Sequence, residues 1–248
     1  SDFGVTWTAI TAYGNLSWRS ISLSSTGQYQ TAVVRGGLIY FSRDYGFTWS
    51  TYASYEITAG DQSGMSVSLG ADGNTVAIGA PLNDGVNGID SGHVRVYTWS
   101  GSAWSRRGAI DLMDGEAIND RSGYSVSMSA NGAVVAIGAP NNNGATGVGS
   151  GQVRMYAWSG SSWVKRGAVD TDGEAGVTLP PTVVTASGTT VSAGWRSVSL
   201  SSTGQYQSAV VDTSGYIWTS SDYGVTWTAR TAPGSRDWQS ISLSSTGQ

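Results

Sequence analysis

Three glutamates (Glu56, Glu116 and Glu174) and a single histidine, His93, are the chain's main means for acid–base work, and it contains no cysteine. The missing cysteine excludes disulfides, thiolate nucleophiles and Cys-ligated zinc. Glu116 and Glu174 sit in near-repeated loops, Asp114-Gly115-Glu116 and Asp172-Gly173-Glu174, where turn chemistry is the simpler account. Gln152 occupies the repeat position of His93, which favours a structural polar role, and no Ser-His-Asp triad can be assembled around that histidine. Arginines also recur in register: Arg19 with Arg196, Arg95 with Arg154, Arg107 with Arg166. Residues that recur at a repeat position usually serve the scaffold. The segment richest in oxygen donors runs from Asn83 to Asp90, and Asn83, Asp84, Asn87 and Asp90 are the candidate ligands for a cation or for sugar hydroxyls. Its counterpart, Asn141 to Gly147, has lost the acids, so a solvated, turn-rich loop is the plainer reading. Asn15-Leu16-Ser17 is the one glycosylation sequon, which makes Asn15 the candidate acceptor. We expect no catalytic residue, no metal site and no cofactor.

The elements that carry these residues follow from one phrase that returns five times. It reads ISLSSTGQ from Ile21, VSLGADGN from Val67, VSMSANGA from Val126, VSLSSTGQ from Val198 and ISLSSTGQ from Ile241. Apolar and small polar residues alternate, which is the period of a half-buried strand, and each copy closes in a turn with a glycine. The copies stand 43 to 72 residues apart. Units of that size with several strands each predict the blades of an all-β propeller. No window carries a 3.6-residue apolar stripe free of Gly, Pro or Ser/Thr runs, so almost no helix is expected.

Charge narrows the partners. A net charge of −4, a pI near 4.8 and a single lysine, Lys165, leave nothing to neutralise phosphates, so no nucleic acid is expected. No apolar run approaches the ~18–20 residues of a membrane span. Low charge (12%) with 35 glycines, 11 tryptophans and 12 tyrosines suits short strands, tight turns and rings packed between sheets.

The repeats are of two kinds. Trp18 to Gln30 and Trp195 to Gln207 are nearly identical, and each leads to a turn reading Ser-x-Asp-x-Gly-x-Thr-Trp. Those turns use Ser42, Asp44, Gly46 and Trp49, and again Ser220, Asp222, Gly224 and Trp227. Asp2, Gly4 and Trp7 form a third copy that lacks its start. The pattern resembles the Asp box, or BNR repeat, of sialidase-type propellers. The resemblance implies a structural turn away from any active site, with the carboxylate accepting amides two or three residues on. A sialidase site would need a triad of arginines, a Tyr–Glu pair and an acid/base Asp, and the scarce glutamates and repeat-bound arginines argue against it.

Ser63 to Gly108 and Ser122 to Gly167 form the other kind, sharing VAIGAP and a GxVRxYxWSGSxW run. They resemble FG-GAP repeats, the blades of integrin-α-like propellers, although Ser63 and Ser122 stand where the family has Phe. The family's calcium loop is also missing. Gly70 to Asn74 and Ser129 to Ala133 offer one or two oxygens each against the about six to eight that calcium takes.

These units give four complete blades, at about 18–52, 60–110, 120–170 and 195–230. A fifth blade is split between the termini, with an outer strand near 1–11 and an inner strand near 238–248. Pro180-Pro181 breaks the insertion at 171–194 into a loop and an extra strand. The split blade lacks its middle strands. Completion by further repeats of a longer chain, or by a second molecule in a dimer or fibre, is favoured over a self-contained monomer. The expected function is a non-enzymatic, extracellular or surface-exposed structural or adhesive module, on a cell surface, appendage or virion. A glycan-binding propeller and a protein-docking scaffold are the alternatives.

Overall fold

The computed structural model describes residues 9–52, 59–109, 113–143, 151–166, 183–184, 190–191, 195–211 and 215–247. Their strands assemble into four antiparallel meanders. The first comprises β1 (Trp18–Leu23), β2 (Gln30–Val34), β3 (Ile39–Ser42) and β4 (Ser50–Tyr52). The second comprises β5 (Ser66–Leu69), β6 (Thr75–Ala80), β7 (His93–Trp99) and β8 (Trp104–Arg106). The third comprises β9 (Ser125–Met128), β10 (Val134–Ala139), β11 (Gln152–Trp158) and β12 (Trp163–Arg166). A two-stranded hairpin follows, β13 (Val183–Val184) with β14 (Thr190–Val191). The last meander comprises β15 (Trp195–Leu200), β16 (Gln207–Val211), β17 (Ile217–Ser220) and β18 (Thr228–Arg230). Apart from a 3₁₀ turn at Ala59–Asp61, the described residues contain no helix. The chain is an all-β propeller whose blades are these four sheets.

Residue types explain the layering. β6 and β10 are buried on every residue because a blade lies on each face, and they read as the unbroken apolar runs TVAIGA and VVAIGA. The innermost strands β1, β5, β9 and β15 lie side by side in chain order. β1 and β15 share a register shift after their leading tryptophan, between Trp18 and Ser20 and between Trp195 and Ser197. This bulge belongs to the repeat.

The recurrent glycine of the inner turn has two duties. It takes positive φ in all five copies, and it lets blades approach: a Cβ on Gly73 (φ +71) would lie 2.2 Å from the ring of Tyr29 on the preceding blade.

One expectation changes. The segment from Trp238 to Ser244 occupies the inner-strand place beside β15 but forms no strand, because no described strand pairs with its other edge. Its companion at the other terminus lies mostly outside the described residues.

Candidate functional site

The Ser-x-Asp-x-Gly-x-Thr-Trp turns come out alike in the two described copies. Ser42 Oγ donates to Asp44 Oδ1 (2.7 Å) and accepts the Gly46 amide (2.8 Å); Ser220 Oγ donates to Asp222 Oδ1 (2.8 Å) and accepts the Gly224 amide (3.0 Å). Each carboxylate reaches beyond the expected two or three residues to the amide and hydroxyl of a threonine four residues on, Thr48 or Thr226. The reach is longer because Tyr45 and Gly46, like Tyr223 and Gly224, both adopt positive φ and curl the loop around the acid. Trp49 and Trp227 return their indole N–H to the glycine carbonyl at 3.0 and 3.1 Å. Asp2, Gly4 and Trp7 lie outside the described residues.

The candidate ligand loop ties its side chains to neighbouring segments and to itself. Asn83 Nδ2 donates to Asp61 Oδ2 (2.7 Å), Asp84 Oδ1 accepts the Asp90 amide (3.0 Å), and Asn87 Nδ2 donates to the Gly115 carbonyl (2.6 Å). The third blade repeats the first of these bonds, with Asn142 donating to Asp120 at 2.9 Å, which marks an anchor of the scaffold. Asp90 itself sits at φ +53 in the turn. Among the described residues no group of three or more His, Asp or Glu is gathered to hold a metal ion. Asn15 is exposed just ahead of β1.

The densest set of charges lies where the second and third blades meet, with Arg95, Asp114 and Arg154 buried and Glu116 and Lys165 nearer the surface. Arg95 pairs with Asp114 at 2.5 Å, both nearly buried. Arg154 donates to the Asp114 carbonyl (2.8 Å) and to Ser122 Oγ (2.6 Å). Glu116 accepts from Lys165 (3.0 Å) and Gln152 (3.1 Å). Burial raises the Glu116 pKa, but the Lys165 bond, the Arg154 charge and the Gln152 bond outweigh it and hold the carboxyl below its ordinary value. Sequence reasoning read Asp114 and Glu116 as turn residues and missed this junction. The signal was the recurrence of Arg95 as Arg154 within the runs VRVY and VRMY of two buried strands. Glu56 and Glu174 lie outside the described residues.

His93 borders the same cluster. Burial, with the Arg95 charge beside it, lowers its pKa to about 3 from the ordinary 6.5. The native state therefore refuses a proton that the unfolded chain accepts between those values, so stability falls as pH drops below about 6.5. The slope is at most about 1.4 kcal/mol per pH unit. His93→Gln, the residue the third blade uses there, is expected to flatten urea midpoints between pH 6.5 and 4. Below that range, acid loss reflects Asp44 and Asp222. The Asp44 pKa is lowered by the hydroxyl of Thr48, then by its amide and Ser42; at Asp222 burial opposes but the Thr226 bonds win. Both acids stabilise above the unfolded carboxyl value and lose that stability as pH falls through the native one. Parallel pH profiles for the wild type and His93→Gln would contradict the assignment.

The remaining surface is the blade-to-blade junction and its open end. A serine hydroxyl on each inner strand accepts an amide from the next blade: Ser22 from Leu69 (2.9 Å), Ser68 from Met128 (3.0 Å), Ser127 from Leu200 (3.0 Å) and Ser199 from Leu243 (2.9 Å). A second ladder joins the inner turns, amide to carbonyl. It runs from Ser25 to Ala71, Ala71 to Ala130, Ala130 to Ser202 and Ser202 to Ser245, at 2.8–3.0 Å. Farther out, an arginine stacks on a neighbouring blade's ring at each junction, Arg43 on Trp99, Arg107 on Trp158 and Arg166 on Tyr223, at 4.7–4.8 Å. At the first blade the sequence of covered faces stops. Trp18, Ile21 and Leu23 are 45%, 57% and 51% exposed, whereas their repeat partners Trp195, Val198 and Leu200 are 2%, 5% and 7% exposed.

No family model and no curated protein matches the sequence. Many solved structures are similar in fold. Hydrazine synthase from Kuenenia stuttgartiensis has 12% identity over 87% of this chain and 49% of that one, at TM-score 0.52. The GH74 xyloglucanase from Xanthomonas campestris has 14% identity over 88% of this chain and 31% of that one, at TM-score 0.56. This chain thus spans about half of the first and about a third of the second. Identities this low speak for the fold alone, and what the chain shares with these proteins is the propeller.

Proposed function

We propose that this chain is a non-enzymatic structural or adhesive module, extracellular or surface-exposed, of the kind that builds a fibre or appendage. In this reading β1–β4 and β15–β18 are Asp-box blades, and β5–β8 and β9–β12 are FG-GAP-like blades. The matching turn geometry at Asp44 and Asp222 supports the first assignment, and the shared Asn–Asp anchor supports reading the middle two blades as one kind of repeat. Placement outside the cell rests on the two repeat types, which belong to surface-associated propellers.

One observation carries the functional reading. Two directional ladders thread every described blade and run out on an uncovered apolar face, while the acids and the histidine of the described residues serve junctions and turns. Surface of that kind suits association rather than turnover.

The test pairs a glycan array with reducing-end assays on plant and bacterial polysaccharides. The expected result is no saturable binding and no release of sugar. Binding that is lost in Asn83→Ala and Asp90→Ala would replace this reading with the glycan-binding one, and sugar release would replace it with an enzyme.

A further inference from the structure

The uncovered face of the first blade has a counterpart within the same chain, and that counterpart shows what covers it. Residues 221–248 repeat residues 1–28 without a gap, with 21 of the 28 positions identical. Trp238, Leu243, Ser245 and Gly247 therefore stand for Trp18, Leu23, Ser25 and Gly27. Beside β15–β18, Trp238 Nε1 donates to the Gly215 carbonyl (3.0 Å) and the Leu243 amide donates to Ser199 Oγ (2.9 Å). The Ser202 amide donates to the Ser245 carbonyl at 2.9 Å. Gly247 lies so close to Tyr206 that a Cβ there would fall 2.4 Å from it, as Gly73 does against Tyr29. The terminal segment thus makes the contacts that an inner strand of the β1 type makes on a blade of the β15–β18 type. It does so alone, with only half-buried Trp238, Ile241 and Leu243, and a cleft lined by Ser208, Thr219, Thr228 and Arg230 stays open beside it.

We propose that a second copy of this chain docks its first blade onto the β15–β18 blade and displaces residues 238–247. The inference rests on the reading of the chain as an assembly module. Three features choose a second copy over an unrelated partner. The ladders are directional, so the end that lacks a donor to Ser199 once the segment leaves is matched by the Leu23 amide, which meets no hydroxyl among the described residues. The Ser25 carbonyl likewise matches the Ser202 amide. The incoming strand has nearly the sequence of the segment it replaces, so the docking site is already specified. The second copy brings β2–β4 as well, and these fill the cleft that the segment leaves open. One face of each copy meets a different face of the next, so the contact is heterologous and propagates into open chains or rings.

The absence of cysteine permits a direct test with the full chain. Ser25→Cys and Thr203→Cys place thiols on exposed turn residues that the docking brings together. A mixture of the two variants, treated with a short bismaleimide, is expected to give dimers and longer species, whereas either variant alone stays uncross-linked. In sedimentation the wild-type mass is expected to rise with concentration. Trp18→Arg and Leu23→Arg, both at exposed positions, are each expected to weaken that association more than about tenfold while lowering the melting temperature by no more than about 4 °C.

A chain that stays monomeric to near-millimolar concentration would overturn the proposal. So would cross-linking of Ser25→Cys with itself, which means face-to-face pairing. Intrachain cross-linking at monomer mass in the doubly substituted chain would mean that its own first blade closes the ring, and would overturn it too. None of these results bears on the glycan and turnover assays, so the two readings fail separately.

Discussion

Trp195→Ala is expected to remove about 3–5 kcal/mol of unfolding free energy, while Trp18→Ala, the same change at the same repeat position, removes about 1 kcal/mol. The two tryptophans open nearly identical strands and differ only in what lies over them. Trp195 is 2% exposed, and its ring meets Trp218 edge-on at 6.3 Å and Trp227 at 6.0 Å. It closes a cluster with Val153 and Met155 of the third blade. It also fills the place beside Gly151, where a Cβ would fall 2.8 Å from its ring. Truncation there leaves a cavity between two blades that cannot move together without breaking the serine ladder. Trp18 keeps one edge-on contact, Tyr40 at 4.9 Å, and already spends much of its surface in water. Urea melts of the two variants at neutral pH give the comparison. Equal losses would mean that Trp18 is covered in the free chain, and the open face would then not exist.

That contrast bears on how much of the molecule a sequence can disclose. The inner strands were legible because a period of two and a closing glycine are local properties of eight residues. The turn through Asp44 was legible for the same reason, since Ser42, Asp44, Gly46 and Trp49 lie within one loop. The ladder was not. Ser22, Ser68, Ser127 and Ser199 read as the solvent side of an alternating strand, and their role exists only when the next blade supplies an amide. The anchoring role of Asn83 was unreadable for a related reason. Asn83 looked like a free oxygen donor because its partner Asp61 stands before β5, and only the joint recurrence of the pair as Asp120 and Asn142 gives it away. Whether Trp18 is core or surface was likewise unreadable, because the strand is the same in both settings and the neighbour decides.

The second large effect is expected at the buried ion pair. Asp114→Ala should cost about 3–5 kcal/mol, because it leaves the Arg95 guanidinium desolvated without its anion. The side chains of Arg95 and Asp114 are 8% and 2% exposed, so water cannot replace the lost carboxylate without opening the junction. The backbone at this point has no freedom to adjust. Gly115 donates its amide to the Gly92 carbonyl at 2.8 Å, and a Cβ on it would fall 1.9 Å from the Ser91 carbonyl oxygen. The Asp114 carbonyl is also held by Arg154. The pair itself need not be net stabilising, since the attraction mostly offsets the cost of drying both charges. Replacing both residues with apolar ones of similar size, as in Arg95→Met with Asp114→Leu, should therefore recover most of the loss. Asp114→Asn should fall between, keeping a neutral acceptor for the guanidinium. Chemical denaturation of the three variants separates the possibilities. If Asp114→Ala unfolds at the wild-type midpoint, Arg95 has water or another anion at hand, and the cluster is an accessible polar site instead of a sealed joint between blades. A double variant as weak as the single one would place the contribution in the other contacts of the two side chains and not in the pairing of their charges.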